Sequence, residues 1–173
     1  IDKEGFCSVI MQGRGLPASA AFPDSFSYGN QAVETVSYDP EGAKALLKES
    51  GWTDSDGDGY VDKDGEKLTV NWLTYPTRLE QPKLAEYAQA TLKEIGIDVK
   101  VNNTSDHMTY AGNGDFDVYV SSLTTAPTGD PEYFFNYHCL DASSNNDGHY
   151  HSDRLEELAA QMAQTFDPEQ RAQ

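Results

Sequence analysis

The sequence predicts an α/β fold, and three observations carry that expectation. "KLTVNWLTY" (67–75) alternates in the manner of a strand. From about Gln81, apolar Leu84, Ala88, Leu92 and Ile95 recur at spacings of three and four, which makes a helix with one core face. "IDVKV" (97–101) then reads as a second strand. A strand, a helix and a strand joined by short connections form a βαβ unit, which implies parallel pairing with a right-handed crossover.

The other elements follow in chain order. "IDKEGFCSVIMQGRG" (1–15) reads as the tail of a helix already under way. The first ~35 residues, rich in Gly, Pro and Ser, are long for an undecorated loop and are expected to be extended and draped over a surface. "YDPEGAKALLKESG" (38–51) is a punctuated helix: Asp39 suits the N-cap, Pro40 the first helical position and Gly51 the left-handed residue past the end. Its apolar stripe is Ala43, Leu46 and Leu47. In the first strand, Leu68, Val70, Trp72 and Thr74 share a face. Pro82 stands near the start of the second helix and Gly96 closes it. "DFDVYVSS" (115–122) is a further strand with Phe116, Val118 and Val120 on one side. "DPEYFFNYH" (130–138) is a short helix, and "HSDRLEELAAQMAQTF" (151–166) a longer one with Leu155, Leu158, Ala159, Met162 and Phe166 along one side. "DPEQRAQ" (167–173) begins a helix and stops, so both ends read as cut.

The 173 residues suit one sizeable domain, or one lobe of something larger. With 29 acidic residues against 12 basic, the formal net charge is −17, a field that repels phosphate backbones and anionic membrane surfaces. No apolar run approaches the ~20 residues of a membrane span. Cys7 and Cys139 form no disulfide framework, and pairing stays open. "NNTS" (102–105) holds glycosylation sequons of a kind that arise often by chance.

"DSDGDG" (54–59) poses the sharpest question. Asp54, Asp56 and Asp58 fall at the first, third and fifth positions of a calcium-binding loop, with Gly59 at the sixth, but the last position, which needs a bidentate Glu, is Gly65. Two readings stand: a relaxed calcium site completed by Asp62 or Asp64, or a polar hairpin turn. His149 and His151 flank Tyr150, and an extended segment would point both to one side. Two imidazoles can hold a transition metal with His138 or Asp147 as a third ligand, although such a pair is more often loop decoration. No nucleophile elbow, metalloprotease helix or phosphate-cradling glycine loop is present, and Asp pairs such as Asp115 with Asp117 are expected by chance in so acidic a chain. Nothing specific favours an enzyme.

The order of segments is more specific than any motif. "YDPEGAKALLKESGWTDSDGDGYVDKDGEKLTVNWLTY", "LAEYAQATLKEIGIDVKV", "DFDVYVSSLTTAPTGDPEYFF", "SSNNDGHYHSDRLEELAAQM" and "FDPEQRAQ", with the opening "IDKE" and "GLPASAAFP", resemble the extracytoplasmic solute-binding proteins of ABC importers. The group resembled is family 5, which takes oligopeptides, dipeptides and nickel, and "TYPTR" and "TAPTGDPEYFF" resemble its nickel branch most. The resemblance implies one lobe, 1–173, of a type II periplasmic-binding-protein-like fold, with a mixed sheet flanked by helices. It further implies a monomer outside the cytoplasm, periplasmic or a lipoprotein anchored from outside this stretch, that passes a peptide or metal chelate to ABC permease subunits. It places the acidic segment as a hairpin between a helix and a strand. Where relatives often carry Trp after the strand serines, this chain has Leu123, which removes a stacking surface.

Ligand is expected at the carboxyl ends of the strands. There Ser121, Ser122, Leu123, Thr124 and Thr125 offer mostly hydroxyls, and Tyr75 and Arg78 follow the other strand. Arg78 suits a ligand carboxylate or the neighbouring Glu80; Asp130 suits a ligand amine or the cap of the helix from Pro131. No cofactor other than calcium is suggested. The competing class is a stand-alone, calcium-stabilised surface interaction module.

Overall fold

The computed structural model describes residues 1–29 and 36–171. Residues 30–35, the end of the stretch expected to be draped, and the last two residues lie outside the described ones. The chain packs as two compact units, one of residues 1–17 and 36–122, the other of residues 18–29 and 123–171.

The first unit holds the parallel sheet. It opens with a helical turn, α1 (Lys3–Gly5), running into a π-helical turn, Phe6–Ile10. This start is helical, as expected of 1–15, so the draped reading of the first ~35 residues does not hold there: Asp2 accepts the Gly5 N–H at 2.7 Å, and buried Phe6 packs on Tyr87 with ring centroids 5.7 Å apart. Helix α2 (Pro40–Glu49) is capped by Asp39, whose Oδ1 accepts the Gly42 N–H at 2.8 Å. Of its expected stripe, Ala43 and Leu47 are half-buried and Leu46 is 65% exposed.

An antiparallel hairpin follows, β1 (Asp62–Lys63) with β2 (Glu66–Lys67), then β3 (Thr69–Thr74), α3 (Glu80–Lys93) and β4 (Asp98–Asn103). Gly96 ends α3 at φ +83°, and a Cβ there would meet Val61 Cγ1 at 2.8 Å, so both conformation and space require glycine. After α4 (His107–Asn113) comes β5 (Val118–Tyr119). The sheet order is β4-β3-β5 with both pairings parallel, Thr69 through Thr74 lying opposite Asp98 through Asn103. The antiparallel pair forms a separate sheet.

Strand β5 is shorter than the expected 115–122. The Asp117 N–H donates to Asn71 O at 2.9 Å, but the Asn71 N–H goes to the Asp117 carboxylate at 2.7 Å, so a side chain takes one bond of the ladder where the strand should begin. Burial along β3 also departs from strict alternation. Trp72, Leu73 and Thr74 are all buried, as in a parallel sheet covered on both faces. Trp72, Ala85, Ala88 and Val99 form the core, with Val70, Leu84, Leu92, Val118 and Val120 against it.

The second unit holds α5 (Glu132–His138), α6 (Asp153–Met162) and α7 (Pro168–Arg171). Phe22, 4% exposed, meets Tyr28, Phe134 and Phe135 edge-on at centroid distances of 5.2, 5.5 and 6.0 Å. Ala159 is buried on α6, but the helix ends at Met162, which leaves Phe166 beyond it and 86% exposed.

Candidate functional site

A parallel sheet leaves the carboxyl ends of its strands open to a ligand. Tyr75 directly follows β3 and is 7% exposed, so it is part of the floor there. Its hydroxyl accepts the Ser122 N–H at 3.0 Å across a separation of 47 residues. Burial pushes the Tyr75 phenol up, but hydrogen bonds from Ser121 and Ser122, with the Arg78 guanidinium, outweigh it and hold the phenol below the ordinary tyrosine range. Ser122 Oγ accepts from Gln81 Nε2 at 2.8 Å and donates to Glu80 Oε1 at 3.3 Å. Gln81 is buried, and its Oε1 has no hydrogen-bond partner among the described residues.

On the Tyr75 ring lies His107, the first residue of α4, at a centroid distance of 4.1 Å and an interplanar angle of 22°. Its Nδ1 is 2.7 Å from the Tyr119 hydroxyl, which in turn donates to Met108 Sδ at 3.9 Å. Tyr75, Ser121 and Ser122 were expected at this edge; His107, Tyr119 and Gln81 were not. The signals for α4 are local: Asp106 accepts from Thr109 Oγ1 at 2.8 Å, and Gly114 ends the helix at φ +74°. Arg78 is exposed and makes no ion pair with Glu80 among the described residues.

Four of the expected ligand-binding residues fall in the second unit. Leu123 is 49% exposed, Thr124 is exposed and Thr125 half-buried. The Asp130 carboxylate already has internal partners. Its Oδ1 accepts the Glu132 N–H at 2.9 Å, and both oxygens accept from Arg171 Nη2, at 2.7 and 2.8 Å. Burial raises the Asp130 carboxyl, but Glu132 N–H and Arg171 prevail and hold it below the usual range. Asp130 thus holds the first N–H of α5 and the Arg171 guanidinium, while the N-cap position itself is Pro131.

Asp54, Asp56 and Asp58 offer carboxylate oxygens within 4.8 Å of one another, all exposed. Their own loop occupies them. Asp54 accepts from Gly57 N and Gly59 N at 2.8 and 3.0 Å, Asp56 from Asp58 N at 3.1 Å, and Asp58 from Tyr60 N at 2.9 Å and from the Lys67 ammonium. Asp62 accepts from Ser55 N and Oγ at 2.8 and 2.7 Å. Asp64 and Gly65, at φ +55° and +83°, form the hairpin turn. The position that should supply the last calcium ligand is thus a left-handed turn glycine.

The histidine pair lies in a segment that does not run extended. His149 has φ +49° and its N–H donates to Asn146 O at 2.9 Å, so the segment is a turn and not extended. His151 Nδ1 is 2.8 Å from Asp141 and Nε2 is 3.4 Å from Asp153, and these carboxylates raise its pKa. Burial lowers that of His138, with Asp147 and the Asn145 backbone opposing. Among the described residues, only the three aspartates group as potential metal ligands. Both cysteines are free, and no described helix is long and apolar enough to cross a membrane.

Residues 1–146 match the middle-region model of the bacterial extracellular solute-binding proteins, family 5. The chain belongs to this family. The nickel-binding protein NikA of Staphylococcus aureus is 28% identical over 99% of this chain and 33% of its own length. The oligopeptide-binding protein AppA of Bacillus subtilis is 33% identical over 73% of this chain and 25% of its own. In structure, the chain superposes on S. aureus NikA, solved with Ni(L-His)2, at a TM-score of 0.84 and 28% identity, covering 99% of this chain and 35% of that one. On AppA of B. subtilis, solved with a nonapeptide, the TM-score is 0.77 at 25% identity, again over 99% and 35%. The chain therefore spans about a quarter to a third of the length of these family 5 relatives. Its α/β fold, with a parallel sheet flanked by helices, is that of family 5 binding proteins.

Proposed function

We propose that this chain is one ligand-binding lobe of the substrate-binding component of an ABC importer, which captures a peptide or a nickel chelate between two lobes and delivers it to the permease. The protein works outside the cytoplasm, in a periplasm or as a lipoprotein anchored from beyond this chain, and as a monomer. The observation that carries this reading is near end-to-end likeness to two family members whose crystals hold those two ligand classes. The carboxyl edge of the sheet supports it from within the chain: Tyr75, Ser121 and Ser122 present hydroxyl and amide groups on a buried aromatic floor. Closure of two lobes about a hinge would bury the ligand and desolvate these groups. Calorimetry on the full-length protein with nickel(II)–L-histidine and with di- to pentapeptides tests the reading. Binding of one class at about micromolar strength or tighter is expected, and absence of binding to both classes overturns it.

A further inference from the structure

We propose that the Asp64–Gly65 turn is a modification site, at which the aspartate isomerises spontaneously to isoaspartate through a cyclic imide. Asp-Gly pairs are the aspartates most open to this reaction, because glycine places no Cβ beside its own nitrogen. The chain has four of them, at Asp56–Gly57, Asp58–Gly59, Asp64–Gly65 and Asp147–Gly148. Their surroundings differ sharply.

Ring closure needs a free carboxyl, a free glycine nitrogen and a backbone able to bring them together. In the acidic loop these groups are taken. The Gly57 and Gly59 N–H groups donate to Asp54 at 2.8 and 3.0 Å, Asp56 accepts from Asp58 N, and Asp58 accepts from Tyr60 N and Lys67. Asp147–Gly148 is pinned from both sides. The Asn146 side chain donates to Tyr150 O at 2.7 Å and accepts its N–H at 3.0 Å, and His149 N–H donates to Asn146 O at 2.9 Å. Asp147 itself is half-buried, with its charge acting on His138. At Asp64–Gly65 nothing is held. Both residues are exposed, and neither the carboxylate nor the Gly65 N–H has a partner among the described residues. No atom beyond its chain neighbours lies within 4 Å of where a Gly65 Cβ would stand. The turn joins strands of two residues each, and Asp64 sits at φ +55°, a conformation L residues adopt at a cost.

The reaction balances with water alone. Gly65 N attacks Cγ of the protonated Asp64 carboxyl, a Cγ–N bond forms, and the amide proton leaves with the hydroxyl as water. Water then adds back at either carbonyl of the ring. Breaking the new bond restores aspartate. Breaking the original peptide bond leaves the chain running through Cβ and Cγ, with the former main-chain carbonyl as a free carboxylate. No atom is gained or lost overall, and no electron is transferred. The longer backbone cannot keep the turn, so the pairing of Asp62 with Lys67 and of Lys63 with Glu66 is lost, and Lys67 is released from Asp58.

The test ages the full-length protein in warm, mildly acidic buffer. Isoaspartate is then located by labelling with an S-adenosylmethionine-dependent isoaspartyl methyltransferase and peptide mapping. Isomerisation leaves the mass unchanged, which separates it from deamidation at Asn113–Gly114. Label is expected to rise several-fold faster at residue 64 than at 56, 58 or 147. In denaturant, where the hydrogen bonds are gone, the four pairs are expected to react at similar rates. Asp64→Glu keeps the charge but requires a larger ring, and is expected to abolish label at this turn. Asp64→Asn loses ammonia in place of water and is expected to raise it. No excess at residue 64 in the folded protein, the same excess in denaturant, label persisting in Asp64→Glu, or no gain in Asp64→Asn overturns the assignment.

Discussion

The acidic loop and the carboxyl edge of the sheet belong to the same unit and are both made of polar side chains, yet their chemistry is opposite. In the loop, the Asp54, Asp56 and Asp58 carboxylates bind backbone N–H groups two to five residues away, and Lys67 takes the last of them. At the edge, Tyr75, His107, Tyr119 and Ser122 hold one another in place, while His107 Nε2 and Gln81 Oε1 keep no hydrogen-bond partner among the described residues. A run of acids close in sequence can satisfy itself locally and have little left to offer. Residues brought together from distant segments are oriented by the fold, which leaves some of their polar atoms without an internal partner.

That contrast can be broken at several strengths. The largest effect is expected beneath the edge. Trp72 is 2% exposed at the centre of the core, so Trp72→Ala should cost about 3–5 kcal/mol. Denaturant unfolding measures this, and a loss below about 1 kcal/mol would mean that the edge does not rest on this core. Gly96 comes next, because Val61 N–H donates to its carbonyl at 2.7 Å and ties the stem of the acidic loop to the end of α3. Gly96→Ala meets both a positive φ and Val61, and should cost about 1–3 kcal/mol by the same assay.

Tyr75→Phe removes the acceptor of the Ser122 N–H and should cost about 1 kcal/mol. In the wild type, a phenolate absorbance titration should find Tyr75 ionising below the ordinary tyrosine range and Tyr87 above it, the latter raised by burial and by Asp2. The Tyr75 phenolate is favoured by the fold, so that contribution appears as pH rises through the unfolded tyrosine value and is lost as pH falls through the folded one. Arg78→Ala should move the Tyr75 transition upward. The smallest effect belongs to the loop. Changing Asp54, Asp56 and Asp58 to Asn together should move Tm by less than about 2 °C, and calcium or chelator should not shift the wild type. A calcium-dependent rise in Tm would restore the loop as a cation site.

The same contrast explains what was legible in the sequence. Strands β3 and β4 and helices α2 and α3 could be read because their periods, caps and closing glycines are local signals. Strand β5 was overextended because Asp117 substitutes for part of the ladder, which no alternation pattern reveals. Helix α4 went unread because it is short and polar, with only Asp106 and Gly114 to mark it. His107 was missed with it: a lone histidine in a polar run acquires meaning only when Tyr119, 12 residues on, and Tyr75 meet it in space. Tyr75, Ser121 and Ser122 could be named since strand ends are predictable where the strand is. Asp130 was read with two roles because sequence shows its helix and not its partner Arg171, 41 residues away.

The central claim, capture between two lobes, is tested most directly by calorimetry on this chain and on the full-length protein, side by side, with nickel(II)–L-histidine and with di- to pentapeptides. One wall supplies only part of the contacts and leaves polar groups wet. Losing about half of a micromolar interaction, roughly 4 of 8 kcal/mol, leaves millimolar binding. The expected result is therefore about micromolar affinity or tighter for the full-length protein and about millimolar for this chain. Equal, tight binding by both would contradict capture between two lobes.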